Sequence, residues 1–265
     1  MELEKNVRKD VGYKTLFSTP DNRRRMRIIM ALAFFSQWSG TGIVSYYLHV
    51  VFDDIGITNT TIQLLINGLL QIWNFIFALA GAFLCDRVGR RKLFIGSCIG
   101  MLVFRIAQTI CFAQTAITGS KAAAHGVIAF IFLFNGAYDV AFSPLIISYT
   151  VEILPYNVRA KGFNVFGLTL FLAIIFNQYI NPIALAAIGW KYYLVYVFWI
   201  AFELVYCYLF VVETKNLTLE ETAVIFDGIE GVEKVSSHAI DSTSLTVHRR
   251  DFSTNKGGST DKVDA

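Results

Sequence analysis

Asn67, Gln71 and Asn74, followed by Ala78 and Gly81, recur every three or four residues within a long apolar run. That spacing places them on one helical face, polar toward one end and small toward the other. Similar patterns occur elsewhere. Gln37, Thr41 and Ser45 are spaced by four, Asn135 and Asp139 by four beside Tyr138, and Asn177 and Asn181 by four beside Gln178. A polar side chain is costly in an apolar medium and is expected to face a bundle interior or a cavity. For any single amide the plain reading is an interhelical hydrogen bond, worth roughly 0.6 kcal/mol. Stripes on several helices together point to a polar cavity suited to a polyhydroxylated, uncharged ligand. Gln37, Thr41, Asn67, Gln71, Asn74, Asn135 and Asn177 are the expected contacts.

Three ionisable residues, Arg105, Asp139 and Glu203, also fall inside apolar runs. At 1.5 Å per residue, Arg105 lies about 18 Å and Glu203 about 14 Å from the same end of the bundle. An arginine stem spans that difference, so a buried Arg105–Glu203 pair is expected. Asp139 has no evident partner in the sequence and is the expected functional acid. Gly96 and Gly100 form a small-residue pair that permits close helix packing, a weak signal on its own.

These residues need helices in a membrane to hold them. The 265 residues are 55% hydrophobic and only 16% charged, against about 25% charged in an ordinary soluble domain. Six apolar segments each approach the roughly 20 residues that cross a bilayer: about 28–52, 62–85, 93–113, 122–144, 163–188 and 192–212. The expected fold is therefore an all-α membrane protein with six transmembrane helices. Residues 1–27 are a basic segment ending in Arg23-Arg24-Arg25-Met26-Arg27, residues 28–213 the membrane domain, and residues 214–265 a tail. Thr218-Leu219-Glu220-Glu221 opens that tail with a capping box and predicts a short helix to about Asp227, with disorder beyond. The sequon Asn59-Thr60-Thr61 lies too near the membrane to be an expected glycosylation site.

Asp86-Arg87-Val88-Gly89-Arg90-Arg91-Lys92 concentrates four positive charges and reads as a tight aqueous loop between the second and third spans. Lysine and arginine favour the cytoplasmic side. Residues 53–61 have neither, residues 114–121 only Lys121, and the fourth-to-fifth connection carries Arg159 and Lys161. Both termini are expected in the cytoplasm. The first 27 residues contain no cleavable leader pattern. Cys85, Cys98, Cys111 and Cys207 lie in or beside apolar runs without metal-ligand spacing, and read as buried small hydrophobes. A net charge of +3, spread over loops, argues against nucleic acid. No nucleophile–base pair or phosphate loop appears, so neither an enzyme nor a cofactor is expected.

Asp86-Arg87-Val88-Gly89-Arg90-Arg91 resembles the loop signature of sugar porters in the major facilitator superfamily. Glu152-Ile153-Leu154-Pro155-Tyr156-Asn157-Val158-Arg159-Ala160-Lys161-Gly162 resembles that family's Glu-x-x-Pro-x-x-x-Arg-x-x-Gly signature. Glu213-Thr214-Lys215-Asn216-Leu217-Thr218-Leu219-Glu220-Glu221 resembles its ending, and Gln37-Trp38-Ser39-Gly40 with Tyr46-Tyr47 resembles the start of its seventh helix. The wording is similar to fungal lactose-permease-like and hexose transporters. The resemblance implies that the six spans are helices seven to twelve of a twelve-helix transporter, without the amino-terminal half. It implies sugar transport (lactose, another disaccharide or a hexose), proton-coupled when complete, by alternating access about a midplane site.

Residue by residue, the resemblance makes Gln37 one glutamine of the family's pair and Asn74 its eighth-helix sugar contact. Asp139 stands at a glutamate position and becomes the proton-coupling candidate, while Pro144 keeps one proline of the break that follows. Asp86, Arg87, Arg90, Arg91, Glu152, Arg159 and Glu213 would form a cytoplasmic charge network that latches one end state. Ser36, Gly42 and Ile147 replace three familiar sugar contacts, which leaves a disaccharide or another polyol-like solute open. The implied partners are a small-molecule sugar, membrane lipid, and a separate amino-terminal half or a second copy. The implied location is the plasma membrane. Two rival readings are a non-transporting sugar sensor on the same fold and a truncated, inactive remnant.

Overall fold

The computed structural model of the chain describes residues 12–43, 52–53, 58–217, 221–222 and 224–226. It divides into two units, Met1–Asn216 and Leu217–Ala265. The first contains α1 (Thr15–Ser18), α2 (Pro20–Trp38), α3 (Thr60–Val88), α4 (Arg90–Thr118), α5 (Lys121–Ile153), α6 (Tyr156–Ile188), a 3₁₀ turn (Gly189–Lys191) and α7 (Tyr192–Phe210). Residues 41–43 and 52–53 are also helical, and the described residues contain no strand. In the second unit, residues 221–222 and 224–226 are helical. Ser45, Tyr46, Tyr47 and the capping Thr218 lie outside the described residues.

Four described stretches are long and apolar enough to cross a membrane: Thr60–Val88, Arg90–Thr118, Lys121–Ile153 and Val158–Phe210. The last runs through α6, the 3₁₀ turn and α7, and Gly189, at φ 54°, turns the chain between the two helices. α2 is too polar to qualify, because Asp21 and four arginines crowd its first two turns. The span expected over 28–52 starts inside α2 and then passes through residues outside the described set.

Local chemistry sets the helix ends. Thr19 accepts from the Asn22 amide at 3.2 Å with Pro20 in the first turn, and Asn59 accepts from Thr61 N at 2.9 Å. Both satisfy amides that a helix start leaves open. The loop expected over residues 86–92 is not there. Gly89 alone separates α3 from α4, at a φ of 105° that favours glycine. Asp86 and Arg87 belong to the last turn of α3, and Arg90, Arg91 and Lys92 to the first turn of α4. A 29-residue helix is about 44 Å long against a hydrocarbon core of about 30 Å. Its charged end therefore stays helical beyond the apolar section. For the same reason α5 and α6 run through Glu152, Arg159 and Lys161, joined only by Leu154 and Pro155.

α5 is the hub. It packs against α3 and α4, and α4 packs in turn against α7, while α2 packs mainly against α6. Between helices in hydrocarbon, close approach and hydrogen bonds do the holding. Gly81 of α3 lies so close to the Val140 carbonyl of α5 that a Cβ there would overlap it. Ser97 Oγ donates to the Ala137 carbonyl at 2.6 Å. Of the Gly96–Gly100 pair only Gly100 makes a close approach, 3.1 Å from a Cβ built on it to Ala137 Cβ. All four cysteines are free thiols; Cys85, Cys98 and Cys207 are buried and Cys111 is half-buried.

Candidate functional site

The α3 stripe and the α5 acid meet. Asp139 is buried, and its Oδ1 accepts from Ser143 Oγ at 2.6 Å, one turn along α5. With the Asn74 amide turned to suit its neighbours, Asn74 Nδ2 donates to Asp139 Oδ2 and to the Leu70 carbonyl, both at 3.1 Å. Asp139 therefore has two partners, Ser143 on its own helix and Asn74 on α3. Further along the stripe, Gln71 Nε2 donates to Asn67 Oδ1 at 3.4 Å; Gln71 is exposed and Asn67 half-buried. Asn135 does not join this group, because its Nδ2 turns back to the Ile131 carbonyl of its own helix at 2.8 Å.

A second polar group surrounds the end of α2. The helix stops at Trp38, passes through Ser39 and Gly40, and helical geometry resumes at residues 41–43. Tyr138 Oη donates to the Ser36 carbonyl at 2.8 Å. Asn177 Nδ2 donates to the Gln37 carbonyl, and Asn181 Nδ2 to Asn177 Oδ1. Asn181 Oδ1 in turn accepts from Tyr192 Oη and Tyr196 Oη, each at 2.8 Å. Gln37 Nε2 reaches Ser36 Oγ at 3.3 Å, and Thr41 is half-buried. The structure thus brings Gln37 and Asn177 together beside Thr41, and Asn74 and Asp139 together on α3 and α5.

Arg105 and Glu203 are both fully buried, but the expected ion pair is not formed. Arg105 donates to Gln108 Oε1 at 2.9 Å and to the Ser39 carbonyl at 3.4 Å, with its guanidinium 3.7 Å from the Phe134 ring centroid. Glu203 accepts from Ser39 Oγ at 3.0 and 3.3 Å. The depth estimate brings the two charges to one level, but the break in α2 places Ser39 between them.

The charged helix ends form a third group. Arg90 pairs with Asp86 at 3.2 Å and with Glu152 at 3.0 Å. Glu213 Oε1 accepts from the Arg90 backbone amide at 2.9 Å, capping the first turn of α4 with an anion. Thr214 Oγ1 donates to Glu152 at 2.6 Å, and Lys215 Nζ to the Arg87 carbonyl at 2.6 Å. Arg87 thus serves through its backbone. Arg91 reaches aside to the Tyr208 carbonyl at 2.8 Å. Arg159 stands apart from this group and binds the Leu154 carbonyl at 3.3 Å.

Ser39, Gln108, Ser143, Tyr192, Tyr196, Thr214 and Lys215 are the participants that the sequence reading misses. Ser143 has a signal, the i+4 spacing from Asp139. Ser39 has none, because nothing in the sequence marks its carbonyl as free of the helix.

Residues 1–226 match the family model described as sugar (and other) transporter. The chain is 31% identical over 203 residues to the MFS-type transporter oryC of Aspergillus oryzae, covering 75% of this chain and 37% of that one. It is 27% identical over 213 residues to sugar transport protein MST3 of Oryza sativa subsp. japonica, covering 77% and 40%. It is 24% identical over 244 residues to the low-affinity glucose transporter of Kluyveromyces lactis, covering 88% and 41%. The fold is similar to that of the MFS proton:xylose symporter XylE, with a TM-score of 0.71 at 24% identity, covering 84% of this chain and 46% of that one. The chain thus spans about two fifths of the length of the curated relatives it matches, and those relatives are transporters, not enzymes. With its long apolar helices it is an integral, multi-pass membrane protein, and it belongs to the sugar (and other) transporter family of the major facilitator superfamily.

Proposed function

We propose that this chain supplies the carboxy-terminal, six-helix half of a proton-coupled sugar transporter, whose substrate is lactose, another disaccharide or a hexose. Its six spans cover about residues 28–52, 62–85, 93–113, 122–144, 163–188 and 192–212, with both termini in the cytoplasm and the plasma membrane as its location. A separate amino-terminal half, or a second copy, completes the cavity. The observation that carries the reading is the shared contact of Asn74 with Asp139. An amide aimed at an uncharged ligand and an acid able to hold a proton here use one hydrogen bond. Protonating Asp139 changes what Asn74 can offer a sugar, and a sugar hydroxyl that takes Asn74 leaves Asp139 to seek the proton. That is a coupling between two ligands at one site.

Uneven burial supports the partner. Half of the most apolar stretch of α5 is buried within the chain, against 17% of that of α3. Leu64, Leu69, Phe75 and Phe83 of α3 and Leu168, Phe171, Ile175 and Tyr179 of α6 are exposed. Two such helices suit a bundle that meets another bundle, with lipid around both. The charged group at the helix ends would then be the latch of one end state. The relatives named as sugar and glucose transporters support the substrate class, and the fold likeness to a symporter supports the architecture.

The test is uptake of labelled lactose, glucose and cellobiose in a transporter-null yeast, with the chain alone and joined to a related amino-terminal half, at acidic and neutral pH. Uptake by the joined protein alone, faster at acidic pH and with that acid dependence lost in Asp139→Asn, is the expected result. Uptake by the short chain alone would mean that two copies build the pathway. No uptake by either, with both at the cell surface, would overturn the transport reading.

A further inference from the structure

A helix that stops inside a bundle leaves carbonyls without partners, and burying them unpaired is costly. At the end of α2 three such groups each meet a donor from a different helix. The Ser36 carbonyl takes Tyr138 Oη of α5, the Gln37 carbonyl takes Asn177 of α6, and the Ser39 carbonyl takes Arg105 of α4. Ser39 N bonds the Phe35 carbonyl at 2.9 Å. The Ser39 hydroxyl is shared between that carbonyl, at 2.6 Å, and the Glu203 carboxylate of α7. Gly40 completes the break at φ 94°, where a Cβ would stand 2.5 Å from an Arg105 guanidinium nitrogen and 2.9 Å from the Tyr196 ring.

Two opposite charges buried only to hold a bundle together gain most by touching, because their attraction must offset the loss of water around both. Arg105 and Glu203 instead aim at the same neutral residue. The Phe134 ring fixes Arg105 from its other side, as a cation on a π face. We infer that Arg105 and Glu203 are positioning residues for the Gln37–Thr41 segment. The cation holds the break by the Ser39 carbonyl and the carboxylate holds it by the Ser39 hydroxyl. Between them they set the angle at which Gln37 and Thr41 face Tyr138 and Asn177. The inference rests on the proposed reading only in taking Gln37 and Thr41 as sugar contacts; the fixing of the break stands apart from transport.

The test uses the full chain in membranes, with Cys85, Cys98, Cys111 and Cys207 replaced by alanine. The readout is the rate at which N-ethylmaleimide labels Thr41→Cys, with Gln71→Cys on the exposed face of α3 as control. Ser39→Ala, which removes one hydroxyl and leaves both charges, should raise labelling at position 41 about tenfold, the ratio that one buried hydrogen bond supports. Glu203→Gln and Arg105→Lys should raise it as well, and Ser39→Thr, which keeps the hydroxyl, should return it toward the parent rate. Position 71 should not change. An unchanged rate at position 41 in Ser39→Ala, or equal rises at positions 41 and 71, overturns the inference. In the joined transporter, Ser39→Ala should raise KM more than it lowers Vmax. A joined parent that carries no sugar would count against the transport reading alone, while the labelling rates still decide the positioning.

Discussion

The chain handles charge in two ways. At the helix ends Arg90 touches Asp86 and Glu152 directly, and the Asp86 side chain is 81% exposed. In the interior Arg105 and Glu203 are fully enclosed and meet only through Ser39. Near water a direct pair forms readily, but screening and hydration leave it worth little. Away from water the same two charges are expensive, and they persist where each has a hydrogen bond and a reason to be there. The outer group is built to exchange partners at modest cost. The inner group is built to stay.

That contrast can be broken most forcefully at Arg105. Arg105→Met leaves Glu203 enclosed without a nearby cation and should cost about 3 kcal/mol, read as a fall in the thermal midpoint of the purified chain in detergent micelles. Gly40→Ala, which forces a side chain into a left-handed position against the guanidinium, should cost about 2 kcal/mol in the same assay. Arg90→Ala loses two partly exposed pairs and should cost about 1 kcal/mol. Half-molar salt should narrow the gap between Arg90→Ala and the parent, and leave that of Arg105→Met nearly unchanged. Asp86→Asn should change stability by less than about 0.5 kcal/mol. Smallest of all is the coupling between Arg159 and Glu152. Arg159 binds the Leu154 carbonyl, so the double substitution to alanine should equal the sum of the singles within about 0.5 kcal/mol.

The same residues show how far sequence carries. The apolar runs of α3 to α7 were legible from hydropathy alone, and so was the face that holds Asn67, Gln71 and Asn74, because a period of 3.6 needs no tertiary knowledge. Depth counting also found Arg105 and Glu203 in the interior. What it could not supply was the path of a neighbouring helix. Ser39 matters only because α2 breaks there, and the break depends on donors from α4, α5 and α6 and on an acceptor from α7. The charges at 86–92 looked like a loop because charge was equated with coil. A helix longer than the membrane is thick carries charge at its end without unwinding. Arg159 was joined to the charged group by resemblance, and the Leu154 carbonyl holds it elsewhere. Asp139 looked solitary because Asn74 lies sixty-five positions away in sequence.

Gly89 has one further consequence, and it is mechanical. A single residue between two long helices leaves no slack: the connection can swivel, but it cannot lengthen. Lys215 grips the carbonyl on one side of it and Glu213 the amide on the other. A tilt imposed on α3 is therefore passed to the foot of α4 and to the strand of chain leaving α7, without a soft loop to absorb it. The elbow works as a crank, and the end of α3, the foot of α4 and the segment that follows α7 turn together.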